Sequence, residues 1–185
     1  MNIACNKKNI SNINEIKKHL LIPSVNLNNG EIYCFCSKKI RNVMSDETKY
    51  INDIEISKAV RASCSYPVVF QPYKYKDIEL IDGGVRENVP WKYTKMLGAD
   101  KVISIVFIEK LTEKKRYNFI DVAAKALDIL SHELSNYELS GADYLIKIKH
   151  KNISLLDKSK ISLLYNLGYY EAKRVIKDIK KEIKY

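Results

Sequence analysis

The sequence has little of what marks membrane-spanning, secreted or nucleic-acid-binding proteins. Its longest apolar run, about 102–108, is far shorter than the roughly 20 apolar residues that a transmembrane helix needs. Lys7 and Lys8 follow Met1 closely, so we expect no apolar signal segment. The net charge is +10, but the basic residues are spread along the chain without a basic block. We therefore expect a cytoplasmic protein with no nucleic-acid partner.

Proline, glycine and cysteine are also scarce. Four prolines and six glycines argue against long disordered linkers, and 185 residues favour a single domain over 1–185. The four cysteines, without a secretory signal, fit free thiols in a reducing compartment better than disulfides. Cys34 and Cys36 would share one face of a strand, but the three histidines are too scattered to complete a zinc site. We expect neither a metal nor a cofactor.

Apolar periodicity and turn residues predict an α/β fold with layered elements. The N-terminal half reads as a helix over 12–20, a hairpin of strands over 23–27 and 31–37, an irregular stretch over 40–53 and a short helix over 54–63. A second hairpin over 73–80, a helix from Pro90 to Gly98 and a strand over 102–108 follow. The C-terminal part, 118–185, is mainly helical, with a helix over 118–140, a strand over 144–148 and a helical tail from Gly168.

A mainly parallel central sheet flanked by helices accounts for this order. The strand over 78–81, the helix after Pro90 and the strand over 102–108 form a βαβ unit, and such crossovers are right-handed. The apolar run of the last strand is typical of a strand buried on both faces of a parallel sheet.

Asp82 stands at the end of a predicted strand, where open α/β sheets bind their ligands. Gly83 and Gly84 follow it, and glycines allow a substrate or a loop to approach the backbone closely. A carboxylate there can act as a general base if burial or a hydrogen bond assists it. On these three residues alone, however, a tight turn is the simpler interpretation.

Longer segments around Asp82 resemble the patatin-like phospholipase family. Residues 59–72 resemble its Ala-Ser-x-x-x-Pro-x-x-Phe-x-Pro segment, and residues 81–90 resemble its Asp-Gly-Gly/Ala block, including the Asn-x-Pro that follows. Leu-Gly-Ala-Asp at 97–100 and the strand and turn at 25–30 also match. The resemblance is good over about 23–107, and the motifs occur in the family's order.

This resemblance implies a serine–aspartate dyad that hydrolyses lipid acyl esters without a histidine. Asp82 matches the catalytic aspartate. The resemblance implies supporting roles for Gly83, Gly84, Asn88 and Pro90, and a pocket lined by Ser63, Tyr66, Pro67 and Phe70. The expected partners are a lipid or acyl ester substrate and, at the periphery, a membrane surface.

The chain departs from the family at the nucleophile. No two of its glycines are four residues apart, so G-x-S-x-G is absent, as is the glycine-rich oxyanion loop. We therefore expect the C-terminal portion of a patatin-like domain, missing its N-terminal strands and inactive without the missing N-terminal half. A non-catalytic relative that binds lipid or a partner protein is the alternative, and a basic nucleic-acid binder is a weaker one.

Other candidate sites have simpler interpretations. Ser63-Cys64-Ser65 could hold a nucleophile, but no base lies nearby in sequence, so a supporting role is favoured. Asp128 and His132, one helical turn apart, could pair at the surface. The last helix ends in a basic group that reads as a solvated face or as an attraction to anionic lipid: Lys177, Lys180, Lys181 and Lys184.

Overall fold

The computed structural model describes residues 5, 9–40, 47–109, 116–150, 153 and 157–183. Its strands are β1 (Leu21–Asn26), β2 (Ile32–Cys36), β3 (Thr48–Ile51), β4 (Tyr73–Tyr75), β5 (Ile78–Asp82), β6 (Ile103–Glu109) and β7 (Tyr144–His150). Its helices are α1 (Ile56–Ser63), α2 (Trp91–Met96), α3 (Phe119–Glu138) and α4 (Ile161–Ile183). Short 3-10 turns occur at Ile13–Glu15, Gly83–Val85, Leu139–Gly141 and Lys158–Lys160.

The larger sheet is mixed, with the strand order β3-β2-β1-β5-β4. β1 pairs antiparallel with β2 and β5, and β4 pairs antiparallel with β5, whereas β2 and β3 are parallel. The α/β class is therefore confirmed, but the prediction of a mainly parallel sheet is partly wrong. Two tight turns explain the difference, because Gly30 and Lys76 take positive φ angles of 75° and 52° and reverse the chain within a few residues.

A separate two-stranded sheet holds β6 and β7, which are parallel from Ile103 opposite Tyr144 to Glu109 opposite His150. The predicted βαβ unit is thus wrong in its partners: β6 pairs with β7 through the α3 crossover and not with β5. Burial of β6 on both faces is also wrong. Val102, which precedes the strand, and Ser104 are buried, while Ile103, Ile105 and Phe107 are exposed.

The first 53 residues differ most from their predicted structure. In place of a helix over 12–20, a single 3-10 turn at Ile13–Glu15 ends in extended backbone at Ile16, although Asn12 and Glu15 form a capping box. The Ile13 N–H donates to the carbonyl of Ile54 at 2.9 Å. This hydrogen bond ties the turn to a segment distant in sequence, and the chain does not continue into a second helical turn. The stretch over 40–53 contains β3, and its residues 41–46 lie outside the described residues.

The larger sheet separates two apolar clusters. On one face, residues of β2 and β5 pack with the turn at Ile13 and with α1; the buried members are Ile13, Phe35, Ile54, Ile56, Ala59, Ala62 and Leu80. On the other face, Ile32, Cys34 and Cys36 pack against Tyr93 of α2. The larger sheet is therefore covered on both faces. Asp82 lies at the end of β5, whose residues pack in this core.

The C-terminal helices follow the predicted pattern only in part. In α3, Ala123, Leu127 and Leu134 are half-buried, but Val122, Ala126 and Leu130 are exposed. α4 begins at Ile161, before the predicted Gly168, and one side of it is buried or half-buried: Ala172, Val175, Ile176, Ile179 and Ile183. Among the described residues, no helix has the length and apolar character to span a membrane.

Candidate active site

Asp82 is the last residue of β5, and among the described residues only one of its two carboxylate oxygens has a hydrogen-bond partner. Oδ1 accepts a hydrogen bond of 2.7 Å from the Gly84 N–H and so caps the 3-10 turn at Gly83–Val85. Within the described part of the chain, Oδ2 has no hydrogen-bond partner. The backbone is fixed as well, because the Asp82 N–H donates to the carbonyl of Ser65 at 3.1 Å. One carboxylate oxygen is therefore anchored while the other is available to a hydroxyl group.

The surroundings of Asp82 raise the pKa of its carboxyl group. The side chain is half-buried, and loss of solvent raises its pKa, with the Gly84 N–H acting in the opposite direction. A general base works best when its pKa approaches the working pH. Burial therefore shifts the pKa of Asp82 in the direction that the predicted general base would need, and the catalytic role of Asp82 stays a prediction.

Gly83 and Gly84 are required for space and not for unusual backbone angles. Neither is among the positive-φ glycines. A Cβ on buried Gly83 would lie 2.4 Å from the carbonyl oxygen of Pro23, and one on Gly84 would lie 2.9 Å from Asn88 Oδ1 and 3.1 Å from Asp82 Oδ1. Contacts within the chain, rather than room for a substrate, therefore explain both glycines.

The Asn-x-Pro residues lie on the far side of the same loop. Asn88 Nδ2 donates to the Ser135 hydroxyl of α3, and Pro90 caps the start of α2. Pro90 also lines a pocket of about 370 Å³ with His19, Leu20, Leu21, Tyr93, Thr94, Leu97, Gly98 and Ala99. Asn88 and Pro90 thus shape the chain beyond Asp82, and supporting roles for them stay a prediction.

The segment after α1 lies beside Asp82. The Tyr66 hydroxyl donates to Asp128 Oδ1 at 3.1 Å, and burial, with a smaller effect from Asp128, raises the pKa of Tyr66 to about 12. The charge of Asp82 contributes to raising the pKa of both Tyr66 and Cys64. Phe70 is exposed and lies under the Arg61 guanidinium, 5.9 Å from its ring centroid.

A pocket lined by Ser63, Tyr66, Pro67 and Phe70 stays a prediction. The two described pockets lie elsewhere: the one beside Pro90, and an open groove of about 750 Å³ lined by Tyr33, Ile40, Thr48, Lys49, Tyr50, Ile51, Tyr75, Lys76, Asp77 and Ile78. Val68 lies in the same segment as Tyr66 and takes a φ of 69°, a strained conformation for a β-branched residue.

One family model matches part of the chain. Residues 8–95 match the model of the family described as patatin-like phospholipase. Over these residues the chain is similar to this family. The match includes Asp82 and ends before β6, so it lies in the N-terminal part of the chain. The match does not say which part of a patatin-like domain these residues correspond to. The expectation that the chain is only the C-terminal portion of such a domain therefore stays a prediction.

Within the patatin-like region, the other nucleophile candidate has a structural role. The Ser65 side chain is fully buried, and its hydroxyl donates to the carbonyl of Arg61 at 2.9 Å while accepting from the Arg61 guanidinium. Cys34 and Cys36 are free and buried, and burial raises the pKa of the Cys36 thiol to about 12. In the described part of the chain, no group of three or more His, Cys, Asp or Glu residues could hold a metal ion.

The sequence did not reveal the contribution of α3 to this site. Asp128 bonds with Tyr66 and not with His132, which instead contacts Asn136 at 3.2 Å and Glu133 at 3.7 Å. Glu138 Oε2 accepts a 2.7 Å hydrogen bond from the Val89 N–H. The spacing of Asp128, Ser131, Ser135 and Glu138 on one helix face was the signal that could have indicated these contacts.

Proposed function

We propose that this chain is the aspartate-bearing part of a lipid acyl hydrolase. Asp82 acts as the general base and orients a serine that is contributed by residues outside this sequence. The same outside residues provide the glycine-rich oxyanion loop. Without them the 185 residues do not catalyse acyl transfer.

The observation that carries this proposal is the one-sided bonding of the Asp82 carboxylate. Oδ1 is held by Gly84, and Oδ2 has no hydrogen-bond partner among the described residues. A base must lie within hydrogen-bond reach of the proton that it removes, and an oxygen without another hydrogen bond keeps both of its acceptor sites for that proton. The raised pKa of Asp82 adds to its strength as a base.

The chemistry that follows is two-step acyl transfer. The serine Oγ attacks the ester carbonyl, its proton passes to Asp82, and the leaving alcohol takes that proton as the ester C–O bond breaks. Water then attacks the acyl-enzyme, with Asp82 again receiving and returning a proton, and the fatty acid is released. Backbone N–H groups stabilise the oxyanion in both steps.

Two observations support a nucleophile from outside this sequence. G-x-S-x-G is absent from the chain, so the chain contains no serine of the expected motif. In addition, β6 pairs only with β7 in the described structure and leaves Ile103, Ile105 and Phe107 exposed. An unpaired strand edge can pair with a further strand, and a row of exposed apolar side chains on the sheet face can be covered by a further packed element.

The second candidate function is binding of lipid or of a partner protein without catalysis. It is favoured by the exposed apolar residues at the start of α3, where Phe119 is 89% exposed and Ile120 and Val122 are also uncovered. Together with the net charge of +10, this surface suits peripheral contact with an anionic membrane.

Complementation distinguishes the two candidates. The chain is assayed for hydrolysis of short acyl esters alone, and again after fusion to the polypeptide encoded directly upstream of Met1. We expect no activity alone, activity in the fusion, and loss of about 10³-fold or more in kcat with Asp82→Asn. Asp77→Asn, at the exposed turn between β4 and β5, is the matched control.

A fusion that carries G-x-S-x-G but remains fully active with Asp82→Asn would remove Asp82 from the mechanism. An upstream polypeptide without that motif would favour the non-catalytic function.

A further inference from the structure

A polar stripe on α3 faces the two chain segments that flank Asp82. The stripe consists of Asp128, Ser131, Ser135 and Glu138, whose spacing places them on one side of the helix. Asp128 accepts a hydrogen bond from the Tyr66 hydroxyl, the Ser135 hydroxyl accepts one from the Asn88 side chain, and Glu138 accepts one from the Val89 N–H. α3 therefore contacts the site through hydrogen bonds from a face where a core-packed helix would present apolar side chains.

Glu138 is the most constrained member of this stripe. It is only 6% exposed, and its Oε2 accepts a hydrogen bond of 2.7 Å from the backbone N–H of Val89. Hydrogen bonds to a charged acceptor are stronger than neutral ones, and a buried carboxylate is costly unless such bonds satisfy it. Val89 is itself buried, so removal of Glu138 would leave its N–H without a partner.

Val89, the residue bound by Glu138, lies at the end of the short loop that Asp82 begins. Asp82 caps the turn at Gly83–Val85, and the N–H groups of Arg86 and Glu87 both donate to the carbonyl of Gly83. Asn88 then lies against Gly84, and the Trp91 N–H donates to the carbonyl of Val89 at 2.7 Å. A loop of this length, fixed at its start by β5, is held in one conformation only if its far end is fixed too.

We propose that Glu138 is a positioning residue for Asp82: by binding the backbone N–H of Val89, it holds the loop that directs the Asp82 carboxylate. The catalytic consequence of this role rests on the proposed function, but the structural role does not. The role depends on the reach of the side chain as much as on its charge. Two substitutions separate these properties, since Glu138→Gln keeps the length and an acceptor oxygen while Glu138→Asp keeps the charge and is one methylene shorter.

Amide hydrogen exchange measured by NMR tests the structural role in the full 185-residue chain. With Glu138→Ala, we expect exchange at the Val89 amide to accelerate about tenfold or more, because a buried hydrogen bond to a charged group is lost. Exchange at the Gly84 amide, which donates to Asp82, should accelerate in the same variant while the Phe35 amide in β2 is unchanged. Glu138→Asp should shift both loop amides more than Glu138→Gln does. Glu133→Ala, on the same helix with a side chain that is 74% exposed, should change neither amide.

Three results would overturn the inference: unchanged Gly84 exchange in Glu138→Ala, equal acceleration at Phe35, or identical exchange in the Asp and Gln variants. The last comparison remains decisive if the Ala variant does not fold. In the active fusion, Glu138→Asp should lower kcat with little change in KM, and Glu138→Gln should recover most of it. A fusion that is inactive with the unmodified chain rejects the proposed function alone, whereas an active fusion with unchanged kcat in Glu138→Asp rejects the positioning role alone.

Discussion

The charge of Asp82 reaches side chains that it does not hydrogen-bond. Cys64 is exposed, and its thiol pKa is raised first by partial loss of solvent and then by the Asp82 carboxylate, with Arg61 acting in the opposite direction. Because the thiolate is the reactive form of cysteine, this shift slows alkylation of Cys64 at neutral pH. Cys64 is therefore a chemical reporter of the charge at position 82.

Replacing Asp82 should make Cys64 more reactive. With Asp82→Asn, we expect labelling of Cys64 by a maleimide at pH 7 to accelerate by roughly severalfold, because the thiolate becomes more populated. The rate is measured by mass spectrometry in a Cys5→Ser background, where Cys34 and Cys36 are buried. Asp77→Asn is the control, and an equal rate in both variants would mean that Asp82 and Cys64 are far apart.

At this scale the sequence predicted one part of the site and missed another. Asp82 could be found because its neighbours carry a motif with fixed local spacing. Glu138 could not, because a glutamate within a helix is ordinarily exposed, and its burial depends on where α3 packs. The same reason explains why Asp128 was assigned to His132 instead of Tyr66.

Among the elements, the turns were predictable and the strand partners were not. Asn28-Asn29-Gly30 and Lys76-Asp77 give the two hairpins from local chemistry alone. The apolar run of β6 indicated a strand correctly, but apolar character does not identify what covers it. Ile105 in β6 lies opposite Ile146 in β7, yet Ile105 is 63% exposed and Ile146 only 5%.

This pair allows a matched test of the β6 surface. Ile146→Thr should lower the free energy of unfolding by about 2 kcal/mol or more, since a buried side chain loses apolar contacts and gains a hydroxyl. Ile105→Thr should change it by less than about 0.5 kcal/mol and reduce self-association. Urea denaturation and light scattering measure the two effects. Equal costs for both substitutions would show that the β6 face is covered in solution.

In the whole molecule, carboxyl groups with opposite pKa shifts lie in different places. Around the Asp82 loop, loss of solvent raises the pKa of Asp82, Glu87 and Glu138, and the Glu138 charge raises that of Glu87 further. Between α2 and β7, the Lys95 ammonium, the Val102 N–H and then the Lys101 ammonium lower the pKa of Asp143. Ionisation of Asp82, Glu87 and Glu138 therefore destabilises the folded loop that carries the site. Ionisation of Asp143 stabilises the folded contact near β7.

These shifts predict a stability maximum on the acidic side of neutrality. The three raised groups bind protons more readily in the folded chain, so stability should rise as the pH falls from 7 towards their ordinary pKa values of 3.8 and 4.5. Asp143 has the opposite sign: its contribution is complete above 3.8 and is lost as the pH falls further. Below that value, repulsion within a chain of net charge +10 at pH 7 adds to the loss.

Chemical denaturation between pH 7 and pH 3 measures this profile. Asp82→Asn and Glu138→Gln together should flatten the rise between pH 7 and about 5, because two of the three responsible protons can no longer bind. Asp143→Asn should instead lower stability at neutral pH and weaken the fall below about pH 4, where the unmodified carboxylate becomes protonated. A steady loss of stability from pH 7 downwards, unchanged by the double substitution, would mean that the Asp82 loop is solvated in the folded chain. Asp82 would then be no stronger a base than a free aspartate, and burial could no longer explain its catalytic role.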